Sequence, residues 1–168
     1  MAASMTLDQG STDKLAQFRQ ELTRMAIPLL PPDINRSEPD FTVETTADGK
    51  AAIRYALSAV KGVGRVAMQS LVAERADAGP YKDVFDLADR VDSRQVSKRQ
   101  LEALIAAGAL DSLCAERGRV FQAVDGLLAR AHAAADDRAS GQTALFGGAA
   151  RPAQTLPPAP EAFWQFVQ

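Results

Sequence analysis

The run Lys61-Gly62-Val63-Gly64, set between Leu57-x-x-Val60 and Leu71-Val72, constrains the fold of this chain more than any other stretch. Two glycines one residue apart, with apolar residues spaced on both sides, predict a short helix, a tight hairpin and a second helix. Glycine accepts positive φ and has no side chain, so such a hairpin can expose backbone N–H groups and the N-terminus of the helix behind it. Leu57, Val60, Val63, Ala67 and Leu71 are spaced to pack the two helices together, with Ala67 small where they cross. Lys61 and Arg65 flank the hairpin as point charges, an arrangement suited to a phosphate backbone. A Gly-x-Gly after a short helix is also compatible with a plain helix–helix turn, and at this point both readings stand.

Composition narrows the class. With 168 residues the chain has room for one domain or a small domain with appendages, and its 46% apolar content includes only one Trp and two Tyr. Abundant Ala and Leu favour helix over sheet. No run of 18 apolar residues occurs and no basic-then-apolar leader opens the sequence, so neither a membrane span nor a signal peptide is expected. Cys114 is alone, which excludes a disulfide framework and a cysteine zinc site and fits a reducing, cytoplasmic setting. His132 is also alone, in an alanine-rich helical stretch, and reads as a solvated helix residue; no catalytic residue and no metal-ligand set is expected. Net charge is −2, against a wholly basic nucleic-acid protein, yet residues 50–100 hold ten basic groups against six acids. A basic middle around the hairpin is the electrostatic footprint expected of phosphate contact, although solvated helix faces would give the same count.

Along the chain, Asp13 reads as the N-cap of a helix to about Met25, with Leu15, Phe18, Leu22 and Met25 on one face. Pro28, Pro31 and Pro32 then impose an extended connector. The β-like runs Phe41–Glu44 and Ala52–Ala56, joined through Asp48-Gly49, predict a two-stranded ribbon leading into the hairpin. The second helix of the motif should run from about Arg65 to Arg75 and stop before Gly79-Pro80. Asp83 can cap a short helix through Val91. Ser97-Lys98-Arg99-Gln100 is a capping box for a helix ending at Ala107, with Gly108 as its left-handed terminator. The segment Leu104–Asp111 looks like a second, degenerate copy of the hairpin unit, lacking the second glycine, and two such units packed as a pseudo-dyad would make a compact five-helix core. One long helix is predicted from about Glu116 to Arg138, and residues 141–168, rich in Gly, Ala, Pro and Gln, read as a mostly disordered tail. Within that tail, Gln142 followed by Leu145 and Phe146 can set two apolar side chains and an amide into a partner's pocket, or fold back on the last helix.

The hairpin unit resembles a helix-hairpin-helix motif, which in known families grips DNA without reading its sequence. The peptide Gln142-Thr143-Ala144-Leu145-Phe146 resembles the one with which bacterial proteins bind the sliding clamp of replication. The order of the segments Met5–Lys14, Ile27–Ser37, Ile53–Gly64 and Lys98–Leu113 looks like the bacterial replicative DNA polymerase III alpha subunit, over about residues 1–147. The resemblance implies a mainly α fold: a tandem helix-hairpin-helix bundle with a small two-stranded β-ribbon, a long C-terminal helix and a disordered tail. It implies the end of a fingers domain over 1–56, the tandem hairpins over 57–113, the long helix over 114–140 and a tail with the clamp peptide over 141–168.

By position, Lys61, Gly62, Val63, Gly64 and Arg65, with Lys98 and Arg99 of the second unit, inherit contact with the duplex backbone. Gln142, Leu145 and Phe146 inherit the clamp, although Thr143-Ala144 is not the commonest pair inside that peptide. Other subunits of the replicative polymerase follow as partners, and a membrane does not. The parent would be a Mg²⁺-dependent DNA-directed DNA polymerase, a nucleotidyltransferase; this chain lacks the palm and its metal-binding aspartates, so it is expected to be a fragment without cofactor, with room for a monovalent cation at the hairpin carbonyls. The expected function is sequence-nonspecific duplex binding and clamp tethering in DNA replication. Two alternatives stand beside it: a helical interaction scaffold without DNA binding, and a fragment of the error-prone paralogue of the same polymerase.

Overall fold

The structure, a computed structural model, describes residues 12–140 together with Leu156 and Pro157. Its helices are α1 (Thr12–Arg24), α2 (Arg65–Ala78), α3 (Val84–Arg90), α4 (Lys98–Ala106), α5 (Arg117–Gln122) and α6 (Val124–Ser140). Three short strands, β1 (Leu29–Leu30), β2 (Thr42–Thr45) and β3 (Ala51–Arg54), form one sheet in the order β1-β3-β2. The expected mainly helical fold is therefore found, with the sheet larger than a ribbon. The turn at Gly49 (φ +78°) closes β2 against β3 as Asp-Gly predicts, and Leu29-Leu30 adds a parallel strand on the other side of β3. The extended connector imposed by the prolines is what makes that third strand available.

Two apolar clusters organise the molecule. Leu22 of α1 packs with Phe41, Ile53 and Ala56 under the sheet, with Leu15 and Phe18 at its margin. Met25, expected on the same face, lies past the end of α1 and is 51% exposed. Asp13 falls inside the first turn of α1 rather than capping it, where its carboxylate still complements the positive end of the helix. The larger cluster gathers Leu57, Met68, Leu71, Leu104, Ile105, Leu110, Val120 and Val124, all but fully buried, from α2 through α6. Ala56 belongs to the first cluster and Leu57 to the second, so the chain passes from one core to the other immediately before the hairpin.

Caps set the ends of the helices. Asp83 accepts the N–H of Asp86 at 2.7 Å and Ser97 that of Gln100 at 3.3 Å, as their sequence positions predict, but the expected capping box is only half made: Gln100 Oε1 is buried without a hydrogen-bond partner. Gly79 (φ +90°) ends α2 and Gly108 (φ +83°) terminates α4 as expected, with the N–H of Ala109 returning to Leu104 O at 3.0 Å. The long helix expected from Glu116 to Arg138 is instead divided at Ala123, whose N–H is shared between the carbonyls of Arg119 and Val120, each at 3.1 Å. The division serves packing: α5 leans on α4, whereas α6 turns to lie along α3. Val120 and Val124, four residues apart, stay on the same buried face across the division, and the bonds Ala123 N–H to Arg119 O and Leu127 N–H to Ala123 O are kept.

Candidate nucleic-acid interface

The helix before the hairpin is a single 3₁₀ turn, Leu57–Ala59, closed by the N–H of Val60 on Leu57 O at 3.2 Å. Val63 N–H then reaches back to Val60 O at 3.3 Å, which folds Lys61-Gly62 outward. Gly62 has φ +93°, so the turn itself requires a glycine there. Gly64 is different. At φ −93° and ψ 144° it is ordinary extended backbone, and it occupies the N-cap of α2 without offering a side-chain acceptor to the first turn. The N-terminus of a fourteen-residue helix is thus left uncapped beside an exposed lysine, the local chemistry that favours an anion.

The hairpin rests on the second unit. A Cβ on Gly62 would stand 3.6 Å from Ala103 Cβ, and one on Gly64 3.6 Å from Gln100 Nε2, both on α4. These contacts were not legible in the sequence, because Gln100 and Ala103 read only as the polar side of a capped helix. Leu57, Val60, Ala67 and Leu71 are buried and Val63 packs on the main core, as their spacing predicts. On the other side of the hairpin an open groove of about 970 Å³ runs to α1, with Arg19, Thr23, Tyr55, Ser58 and Lys61 among its lining.

The charges are distributed less simply than their count suggests. Lys61 and Arg99 are exposed and carry no ion pair among the described residues. Arg65 is held by Asp40, with Nη2 2.8 Å from Oδ2 and Nη1 2.6 Å from Oδ1. Lys98 lies 2.8 Å from Asp125, and the hydrogen bond to that carboxylate raises its pKa above the ordinary lysine value. Arg75 is a structural staple, donating to Ile34 O, Ser37 O and the Glu38 carboxylate at 2.7–2.9 Å. Arg54 and Arg90 are likewise paired, with Glu44 and with Glu74 and Asp86. Much of the basic middle therefore holds the fold together, and the footprint open to a ligand is smaller than composition implies.

The second hairpin is closed by the chain itself. Arg117 donates to both oxygens of Asp111, at 2.8 and 2.6 Å, and its Nη2 sits 2.5 Å from where a Cβ on Gly108 would be. The same guanidinium reaches Ala106 O at 3.3 Å and so serves the C-terminal end of α4. Gly108 is consequently covered, unlike Gly62. Gln142, Leu145 and Phe146 lie outside the described residues. Among the described residues no three His, Cys, Asp or Glu side chains converge on a position for a metal ion, and no helix is long and apolar enough to cross a membrane.

A glycine turn at positive φ, an uncapped helix behind it and a packed second unit together define a helix-hairpin-helix protein. The family model described as "Helix-hairpin-helix motif" matches residues 26–120, and the chain belongs to that family. Over most of its length it is similar to proteins named DNA polymerase III subunit alpha. It is 47% identical to that of Caulobacter vibrioides over 154 residues, covering 90% of this chain and 13% of the relative. Identity is 38% to the Haemophilus influenzae protein, over 88% of this chain and 12% of the relative, and 37% to that of Thermus aquaticus, over 88% and 11%. The chain spans only about an eighth of the length of these relatives.

Proposed function

We propose that this chain holds duplex DNA by its phosphate backbone within a replicative polymerase, through the hairpin Lys61-Gly62-Val63-Gly64 and the N-terminus of α2. The observation that carries the reading is the uncapped Gly64 at the head of α2, next to the exposed and unpaired Lys61 and turned outward by Gly62. Arg99 supplies a second free cation on the adjacent unit. Arg65 and Lys98 join the interface by exchanging a surface carboxylate, Asp40 or Asp125, for a phosphate. In the same reading Gln142, Leu145 and Phe146 tether the chain to a sliding clamp, so that two weak contacts act together, and linkage raises overall affinity by about 10²–10⁴-fold where geometry permits. The chain contributes to holding DNA and not to nucleotidyl transfer.

A salt series of duplex-DNA binding by fluorescence anisotropy tests this. Affinity should fall steeply with salt, and Lys61→Glu should weaken binding and flatten the slope by about one unit, the amount for one lost phosphate contact. Asp40→Asn, which frees Arg65, should strengthen binding in the same series. The scaffold reading has one observation in its favour, the internal pairing of Arg54, Arg75 and Arg90, and it requires flat anisotropy with no response to either variant.

A further inference from the structure

Away from the hairpin, the groove between α3 and α5 already holds a piece of this chain. Leu156 packs against the main core, and with Phe85, Leu113, Cys114 and Arg119 it lines an open pocket of about 290 Å³ at the head of α3. Arg119 Nε donates to Pro157 O at 2.9 Å and Nη2 to Leu156 O at 3.0 Å. Its remaining arm, Nη1, is fixed by Glu116 of the preceding turn at 2.5 Å. The guanidinium is thus held by one carboxylate and spends its free edge on two consecutive carbonyls.

We propose that this groove is a binding site for an extended Leu-Pro segment, and that Leu156-Pro157 of the same chain is its resident occupant, latched by Arg119. The chemistry selects such a segment in three ways. The apolar side of the groove, Val84, Phe85 and Leu113, stands beside the leucine, which closes the wall facing them. A guanidinium has donors only, so it reads carbonyls and gains nothing from a backbone N–H, which proline lacks. Proline also biases the residue before it towards extended backbone, the conformation that presents successive carbonyls outward. Closing the chain costs little, because loop entropy grows only as the logarithm of length, so a contact of two carbonyls and one side chain suffices in cis.

Cys114 lines the groove and is the single cysteine of the chain, so its thiol reports whether the groove is filled. The rate of its reaction with an aromatic disulfide reagent is measured on the full chain, wild type beside Leu156→Asp and Arg119→Ala. Both variants should react at least about threefold faster than wild type, the factor set by losing one hydrogen-bond-sized contact. Melting temperature is followed in parallel; Leu156 lies outside every helix, so Leu156→Asp decides the matter even if Arg119→Ala loosens α5. Unchanged reactivity in Leu156→Asp would overturn the latch, and a rise there without one in Arg119→Ala would overturn the role of Arg119.

Discussion

Gly62 and Gly64 look equivalent in the sequence but do different things. At φ +93° Gly62 is a conformational requirement, and a β-carbon there costs about 1–3 kcal/mol whatever space surrounds it. Gly64 has backbone angles open to any residue and only an ordinary contact ahead of its missing Cβ. Thermal unfolding should therefore separate them: Gly62→Ala lowers stability by about 1 kcal/mol or more, while Gly64→Ala changes it by less, because glycine's advantage over alanine at an N-cap is offset by the stiffer unfolded chain. Tyr81 is the other residue whose environment dictates a measurable response. Its hydroxyl donates to Leu71 O at 2.7 Å, Arg90 lies 4.4 Å over its ring, and burial pushes its pKa up to about 12. A phenol whose folded pKa exceeds its unfolded value near 10 stabilises the fold fully below about pH 10, and that stability is lost as pH rises from 10 towards 12. Urea unfolding across this window should show a loss about 2 kcal/mol larger in wild type than in Tyr81→Phe, in which the other alkaline-titrating groups still contribute theirs.

At the level of elements, much was legible because local rules decided it. Asp83 and Ser97 cap where their spacing says, Gly108 terminates α4, and Asp48-Gly49 closes the β2–β3 hairpin. What escaped depended on partners distant in sequence. Strand β1 exists because β3 offers it an edge, and two residues carry no period from which a strand can be read. The division at Ala123 is a single residue with the i→i−4 bonds kept on either side, too small a departure for the spacing of apolar residues to show. The hairpin was legible as a turn, but its support by Gln100 and Ala103 and the neutralisation of Arg65 by Asp40 were not, since charge counting does not show which arginines are already paired. The covering of Gly108 by Arg117 likewise needed the fold: the degenerate hairpin differs from the first by what fills it as well as by a missing glycine.

At the scale of the whole molecule, two apolar clusters meet at Ala56-Leu57, and the hairpin follows directly at that junction. One side of the hairpin is backed by α4 and the other opens onto the groove towards α1, so a ligand reaches it without displacing the core. The proposed clamp contact belongs to a different part of the chain, beyond α6. The two activities should accordingly separate. Leu145→Ala with Phe146→Ala should abolish clamp capture in a pull-down and leave duplex affinity unchanged, and equal loss of both would refute the two-site picture.

The central claim is that backbone N–H groups at the head of α2 receive a phosphate, and Gly64→Asp tests it most directly. Gly64 already has the extended backbone of an N-cap, and aspartate is the better cap by a few tenths of a kcal/mol. Its carboxylate would satisfy the same N–H groups and place a negative charge where the phosphate should sit. Duplex-DNA affinity and melting temperature measured together on this variant should move in opposite directions, with stability equal or higher and affinity down by about tenfold or more, the effect of one or more lost charge-assisted hydrogen bonds. Full affinity in a variant that folds as well as wild type would contradict the account, because the N-terminus of α2 could then not be where DNA is held.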